Sequence, residues 1–190
     1  MLIALVGKAG AGKNTVSDYI CTKLNSTTEI AFADPIKAGL STMFGLSVKT
    51  LDTMKNNNIL LHDISVRSMY QQIGHALRDL NENIYIELTT NRIDHLLKSV
   101  DTIIVTDCRY VNEIQGLKSY CDKNNCHFIT IYIDRKDTSR PMNNNEQQHV
   151  SETEIDSTKE YCLYTINNNS DLNNLYTQID IILKRIKDKI

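Results

Sequence analysis

The sequence predicts an α/β fold of three layers, in which a parallel β-sheet carries helices on both faces. Five short runs are apolar and rich in β-branched or aromatic residues: residues 2–6, 29–33, 102–106, 128–133 and 162–166. Such runs are typical of buried parallel strands, and the longer spacers between them have the length that helical crossovers need. We therefore expect a five-stranded parallel sheet in a single domain over residues 1–190.

Composition narrows the classes of function. A net charge of −2 with interspersed signs gives no extended field for nucleic acid or membrane, so we expect any anion site to be local. Five cysteines without a CxxC pair argue against a disulfide framework and a zinc site, and favour a cytoplasmic protein. No apolar run approaches the roughly 20 residues that span a bilayer, and the apolar start runs into Gly7, so we expect neither export nor a membrane anchor. The oligomeric state stays open, a homodimer being one option.

A GxxxxGK motif follows the first predicted strand, in the segment GKAGAGKNT at residues 7–15. Glycines let successive backbone N–H groups form a nest for an anion at a helix start, and Lys13 can bridge the outer phosphates of a nucleotide. We infer a phosphate loop, typical of P-loop NTPases; the alternative is a glycine turn that caps a helix. The candidate nucleotide-binding residues are Gly7, Ala9, Gly10, Ala11, Gly12, Lys13, Asn14 and Thr15.

Asn14 stands where this motif usually has Ser or Thr. Its amide oxygen is a neutral ligand for Mg²⁺, and the alternatives are water, Thr15 or a carboxylate further along the chain. The sequence therefore leaves the magnesium ligands open, with Asn14 and Asp107 as the candidates.

A stripe of polar residues is predicted on one helix, within residues 65–80. At about 100° per residue, Arg67, Gln71, Gly74 and Arg78 fall within an arc of roughly 60°. Such a stripe can hold a phosphate and a base, and a glycine inside a helix indicates close approach by a ligand or another backbone. The alternative is a solvated face with arginine–carboxylate pairs. Another stripe of the same helix, made of Val66, Tyr70, Ile73 and Leu77, is expected to face the core.

The third predicted strand ends in Asp107-Cys108-Arg109. Functional groups of open parallel sheets collect at the carboxyl ends of strands, so Asp107 is a candidate ligand of magnesium-bound water or a substrate anchor. Arg109 is a candidate phosphate clamp. Its alternative role is a helical ion pair with Glu113.

Two arginines, Arg135 and Arg140, flank a polar stretch after the fourth strand. We expect residues 135–149 to form a mobile lid whose arginines reach the transferring phosphoryl group and exclude water. The alternative is a passive polar loop.

Six ordered blocks resemble one family: GKAGAGKNT (7–15), FADPIK (32–37), R-x3-Q-x2-G-x3-R (67–78), TDCRYVNE (106–113), HVSE (149–152) and INNNSDLNNL (166–175). The sequence is similar to the deoxynucleoside monophosphate kinases of bacteriophages and large DNA viruses. The resemblance implies an adenylate-kinase-like P-loop fold, with ATP and Mg²⁺ serving transfer to a small-molecule deoxynucleoside monophosphate.

The resemblance also implies roles for individual residues. Lys13 and the glycine loop would bind donor phosphates, and Asp107 with Arg109 would lie between donor and acceptor. Asp34, which alternatively only caps a helix before Pro35, would begin the acceptor segment with Lys37. The acceptor itself would be held by Arg67, Gln71 and Arg78. The sequence departs from the family at Asn14, Ala76 and Tyr85, where the family often has Asp, Glu and Trp, so metal ligation and base choice stay open.

Three other functions compete. A P-loop kinase of the phosphomevalonate or dephospho-coenzyme A type would share the loop and the lid arginines. A nucleotide-dependent switch would require an NKxD-type motif, which this sequence lacks. A nucleic-acid-binding ATPase is disfavoured by the net charge and by the lack of an aromatic and basic stripe.

Overall fold

The computed structural model describes residues 1–55, 64–136 and 155–188. Their strands form one sheet in which every neighbouring pair is parallel, in the order β2-β3-β1-β4-β5. The strands are β1 (Leu2–Val6), β2 (Thr27–Ile30), β3 (Thr102–Cys108), β4 (Phe128–Asp134) and β5 (Tyr164–Asn167). The prediction of five parallel strands is confirmed.

Helices connect successive strands. They are α1 (Lys13–Lys23), α2 (Asp34–Phe44), α3 (Val48–Thr53), α4 (Val66–Leu80), α5 (Ile84–Leu96), α6 (Val111–Lys123) and α7 (Leu172–Lys187), with a 3₁₀ helix at Ile155–Tyr161 before β5. Side-chain caps mark several starts: Ser65 accepts from the backbone N–H of Ser68 in α4, and Asp171 accepts from that of Asn174 in α7. The Ser65 cap explains why α4 begins close to the position that the sequence predicts.

Two strands have different ends from those predicted, because pairing between strands, and not composition alone, decides where a strand begins and ends. β2 lies at Thr27–Ile30 rather than 29–33, because the polar residues Thr27 and Thr28 pair with the start of β3. The chain then leaves the sheet and begins α2 at Asp34. β3 continues past residue 106 through Cys108, so Asp107 is itself part of the strand.

The described chain divides into two compact units, one of Met1–Ala31 with Thr90–Ile190 and one of Phe32–Thr89. In the first unit, Ile3 and Leu5 of β1 lie in a buried cluster with side chains of α1 and α7. Successive strand residues point to opposite faces, so the equally buried Leu2 and Ala4 face the other side, where α6 packs beside β4. Helices therefore cover both faces of the sheet, as the three-layer prediction requires.

The second unit has a small core of its own between α2, α3 and α4, made of Leu40, Leu51, Val66, Met69 and Tyr70. The buried residues of α4 are Val66, Met69, Tyr70 and Gly74. Ile73 and Leu77, which the sequence assigned to the core, are half-buried. The buried face of α4 is therefore rotated toward Gly74, and it includes one member of the predicted polar stripe.

Crossing a bilayer needs a long and apolar helix, and none of the helices within the described ranges 1–55, 64–136 and 155–188 meets both requirements.

Packing of α7 against the sheet gives a test of the core. Ile179 is fully buried in the cluster below the sheet, whereas Ile181, two positions along the same helix, is 48% exposed. Ile179→Ala should lower the free energy of unfolding by about 2–5 kcal/mol, since it leaves a cavity. Ile181→Ala, the matched control, should change it by less than about 0.5 kcal/mol. Urea unfolding of both variants measures this, and equal losses would contradict the packing described.

Candidate active site

The phosphate loop connects the end of β1 to the start of α1. Its glycines Gly7, Gly10 and Gly12 have φ angles of +150°, +79° and +99°. A Cβ on Gly7 would lie only 2.7 Å from the carbonyl oxygen of Ile133 in β4, so no other residue fits there without displacing the strand. The loop thus has the glycine-dependent backbone of an anion nest, and it fits the phosphates of a nucleotide.

Lys13 is the first residue of α1, and its side chain is buried. The ammonium group donates hydrogen bonds to the carbonyl oxygens of Gly7 (2.5 Å) and Lys8 (2.8 Å). These contacts hold the charge against the loop, where it can act on bound phosphate oxygens. Gly12 is the N-cap residue and has no side chain, so no N-cap group occupies the N–H groups of the first turn of α1.

Three residues on the elements next to the loop carry oxygen atoms suited to magnesium. Asn14 is exposed and Thr15 half-buried in the first turn of α1, and Asp107 is half-buried in β3. Amide, hydroxyl and carboxylate oxygens are the hard ligands that Mg²⁺ prefers, so this donor set fits the ion. No group of three or more His, Cys, Asp or Glu side chains that could hold a metal occurs in the described part of the chain. An ion shared with nucleotide phosphates needs only one or two protein carboxylates.

The end of β3 leaves the sheet beside the phosphate loop. Val6, the last residue of β1, pairs with Cys108 of the adjacent parallel strand β3. Both chains therefore leave the sheet at the same edge, which brings half-buried Asp107 and Arg109 to the side of the loop.

Glu113 organises the turn from β3 into α6. Its buried carboxylate accepts hydrogen bonds from the backbone N–H groups of Arg109 (2.8 Å) and Tyr110 (3.2 Å). The sequence considered Glu113 only as an ion-pair partner of Arg109, whereas here the carboxylate positions the main chain that carries Arg109. Burial, together with the Glu113 and Asp107 carboxylates, raises the pKa of the Cys108 thiol well above its ordinary value. That thiol stays protonated and is unsuited to act as a nucleophile.

Arg135 follows β4 directly and reaches the phosphate loop. Its Nη1 atom donates to the carbonyl oxygen of Gly10 at 3.5 Å, the long limit of a hydrogen bond, and the side chain is exposed. Arg140 and the rest of the predicted lid, residues 137–149, lie outside the described residues.

An ion pair links the loop to the 3₁₀ helix. The Lys8 ammonium donates to Asp156 at 2.8 Å, and the Tyr132 hydroxyl donates to the other oxygen of that carboxylate at 3.0 Å. The Lys8 hydrogen bond lowers the pKa of Asp156, with a smaller contribution from Tyr132, so the carboxylate stays charged at neutral pH. Both charged side chains are well exposed, so the pair contributes little to stability, and its effect is to fix where the two segments meet.

The asparagine triplet at residues 167–169 served in the sequence only as part of a family block. In the structure, the side-chain amide of Asn168 donates to the carbonyl oxygen of Ala11 at 2.8 Å. A Cβ on Gly12 would collide with the same amide nitrogen. Asn168 is thus a loop contact that sequence reasoning missed, and its signal was its place at the carboxyl end of a predicted strand.

In the second unit, α4 carries the predicted stripe. Arg67, Gln71 and Arg78 are half-buried, and Gly74 is buried. A Cβ on Gly74 would lie 3.4 Å from Cδ1 of Ile36 and 3.6 Å from Nη1 of Arg78. In this structure the neighbours of that Cβ are side chains of α2 and α4 at van der Waals distance, and the approach of a ligand to Gly74 stays a prediction.

Arg78 stacks on an aromatic ring. The centre of its guanidinium lies 4.6 Å from the ring centroid of Tyr85, which is 2% exposed. Burial raises the pKa of the Tyr85 phenol, and the nearby Arg78 charge opposes that rise. The Tyr85 hydroxyl has no hydrogen-bond partner within the described residues. Stacking orients the planar guanidinium, whose hydrogen-bond donors lie along its edge.

Asp34 and Lys37 both lie on α2. Asp34 is the first helical residue, and the N-cap position belongs to Ala33, which makes no side-chain cap. The alternative in which Asp34 is the capping residue therefore does not hold. Lys37 forms an ion pair of 2.9 Å with Asp52 of α3, which connects these two helices of the second unit.

No family model matches the chain. A protein of Acanthamoeba polyphaga mimivirus named "Putative deoxynucleotide monophosphate kinase" is 28% identical over 194 aligned positions, which cover 94% of each chain. The resemblance predicted from the six sequence blocks is confirmed by this relative from a large DNA virus.

Solved structures show the same fold. Shikimate kinase from Acinetobacter baumannii, in complex with shikimate, matches with a TM-score of 0.52 and 18% identity, over 99% of this chain and 93% of that one. Dephospho-CoA kinase from Campylobacter jejuni matches with a TM-score of 0.51 and 14% identity, over 100% and 98% of the two chains. The chain therefore has the α/β fold of P-loop kinases.

Proposed function

We propose that this protein is an ATP-dependent phosphotransferase that converts deoxynucleoside monophosphates to diphosphates. The observation that carries the proposal is the phosphate loop, where three glycines in the left-handed half of conformational space precede a buried lysine held against the loop. The name of the mimivirus relative supports a deoxynucleotide acceptor.

In the proposed reaction, an oxygen of the acceptor's phosphate forms a bond to the γ-phosphorus of ATP. The bond from that phosphorus to the β,γ-bridging oxygen breaks, and ADP leaves. Little covalent chemistry falls to the protein, so catalysis depends on position and on stabilising negative charge. Bound Mg²⁺ would neutralise phosphate oxygens, and its candidate ligands are Asn14, Thr15 and Asp107.

The first unit supplies the donor contacts. Backbone N–H groups of residues 7–15 would hold the phosphates of ATP, and Lys13 would exchange its two carbonyl partners for phosphate oxygens. Arg109, whose main chain is fixed by Glu113, would stabilise charge on the transferring group. Arg135, at the edge of the loop, and Arg140 are proposed to join it there.

The second unit supplies the acceptor contacts. Arg67, Gln71 and Arg78 share one side of α4, and Arg78 is oriented by the ring of Tyr85. Two guanidiniums can hold the acceptor's existing phosphate through paired, charge-assisted hydrogen bonds, and the Gln71 amide can bind a base or sugar. We place Asp34 and Lys37, in the neighbouring helix α2, at the start of this acceptor segment.

A panel of acceptors tests the reaction. ADP production from ATP is measured with each deoxynucleoside and ribonucleoside monophosphate, and with dephospho-coenzyme A, phosphomevalonate and shikimate as competitors. We expect deoxynucleoside monophosphates to be the best acceptors. Turnover confined to dephospho-coenzyme A, phosphomevalonate or shikimate would replace the proposed acceptor, and ATP hydrolysis that no acceptor accelerates would indicate an ATPase.

The role of Lys13 gives the first prediction for this site. Lys13→Ala should lower kcat at least about 100-fold, because it removes a charge that stabilises the transferring phosphoryl group. The same change removes two contacts within the loop, so thermal unfolding is measured alongside turnover. Lys184→Ala, at an exposed lysine of α7, is the matched control and should keep normal turnover. A folded Lys13→Ala protein with near-normal kcat would contradict the assignment.

The acceptor stripe gives the second prediction. Arg78→Lys should raise the KM for the monophosphate about tenfold, because lysine has no planar fork and stacks less well on Tyr85. ATP affinity, measured by calorimetry without acceptor, should change little, since the phosphate loop belongs to the other unit. Arg185→Lys, on the exposed face of α7, serves as control. Equal weakening of ATP and monophosphate would show that Arg78 acts on the fold and not on the acceptor.

A further inference from the structure

We propose that Asn168 is a positioning residue that sets the orientation of the phosphate loop. Its side-chain Nδ2 donates to the carbonyl oxygen of Ala11 at 2.8 Å. This inference rests on the proposed function, in which the loop binds the donor phosphates, and it adds a residue outside the GxxxxGK motif to that site.

The hydrogen bond acts through the planarity of the peptide group. The Ala11 carbonyl and the Gly12 N–H belong to one trans peptide, in which the two groups point in opposite directions. Because Asn168 holds the Ala11 carbonyl toward the turn after β5, the Gly12 N–H must point to the other side of the loop. An N–H that is already aimed needs no reorganisation when an anion binds, whereas a rotated peptide would present its carbonyl oxygen.

Residue 12 lies directly against the Asn168 amide and has a backbone conformation that favours glycine. A Cβ on Gly12 would collide with the Asn168 Nδ2 atom, and the φ of Gly12 is +99°. The amide therefore packs directly on the main chain immediately before Lys13. Only the NH₂ end of the Asn168 side chain can bond to a carbonyl oxygen, which settles the orientation of the amide.

The turn that carries Asn168 is itself held from two elements. The Asn168 backbone N–H donates to the carbonyl oxygen of Asp134 at the end of β4, at 2.8 Å. Gln178 of α7 binds both backbone groups of Asn167, each at 2.9 Å. The turn is therefore fixed to β4 and α7, and the Asn168 side chain connects this fixed turn to the phosphate loop.

Variants at Asn168 separate the donor from the shape of the side chain. Asn168→Asp keeps the shape, but two acceptor oxygens then face the Ala11 carbonyl and add negative charge beside the loop. Asn168→Ala removes the contact without adding charge. Asn173→Ala is the matched control, because it removes the same kind of side chain at an exposed position of α7.

Binding of inorganic tripolyphosphate and of ATP to the full chain is measured by calorimetry, alongside thermal unfolding and steady-state kinetics. We expect Asn168→Ala to weaken both ligands about tenfold, and Asn168→Asp to weaken them more. The KM for ATP should rise by a similar factor while the KM for the monophosphate stays unchanged, a split that general destabilisation would not produce. Asn173→Ala should bind like the wild type.

The outcomes distinguish this inference from the proposed function. Wild-type affinity for tripolyphosphate and ATP in folded Asn168→Asp would overturn the role of Asn168 and leave the kinase proposal standing. Tight binding by the wild type and loss in the Asn168 variants, without phosphotransfer to any monophosphate, would support the positioning role and overturn the proposed reaction. A wild type that binds neither ligand would overturn both.

Discussion

A Cβ on residue 7 would lie only 2.7 Å from the carbonyl oxygen of Ile133, so the phosphate loop must leave β1 through a glycine. This close approach of two backbones fixes the loop against the end of β4, its neighbour in the sheet. The same edge carries the end of β3, since Val6 pairs with Cys108. The loop, Asp107 and Arg109 therefore lie at one edge of the sheet, because the parallel strands that carry them end there.

At that edge, most of the polar side chains described above form hydrogen bonds with the backbone and not ion pairs with each other. Glu113 binds two backbone N–H groups at the start of α6, and Asn168 binds a backbone carbonyl of the loop. Lys13 binds two further loop carbonyls. Hydrogen bonds between charged or amide side chains and the backbone restrict the loop more than an exposed ion pair would, because the backbone has few ways to move once its peptide planes are held.

In the second unit, an arginine is oriented by an aromatic ring instead of by hydrogen bonds to the backbone. Arg78 lies over the buried ring of Tyr85, so the guanidinium plane is oriented by stacking and its donors remain along its edge. Gly74, one turn earlier, is buried against Ile36. The arginines of α4 therefore lie on a helix that also contributes Val66, Met69 and Tyr70 to a small core.

Local chemistry in the sequence was enough to predict the five strands, the phosphate loop and helix α4, because short apolar runs, helical spacing and GxxxxGK depend only on neighbouring residues. The sequence missed the start of β2, since Thr27 and Thr28 become strand residues only by pairing with β3. Nor could it show that Gly74 lies beside Ile36, because that residue belongs to another helix.

The sequence by itself therefore determined the fold class and the lysine and arginines that make a phosphate site chemically reasonable. Only the tertiary structure decided which distant residues complete that site: Lys8 meets Asp156, 148 positions away, and Ala11 meets Asn168, 157 positions away. The physical reason is the order of the sheet, which places β4 beside β1 and β5 beside β4. The spacing of residues within a segment does not determine the strand order, because that order results from packing of the whole unit around one core.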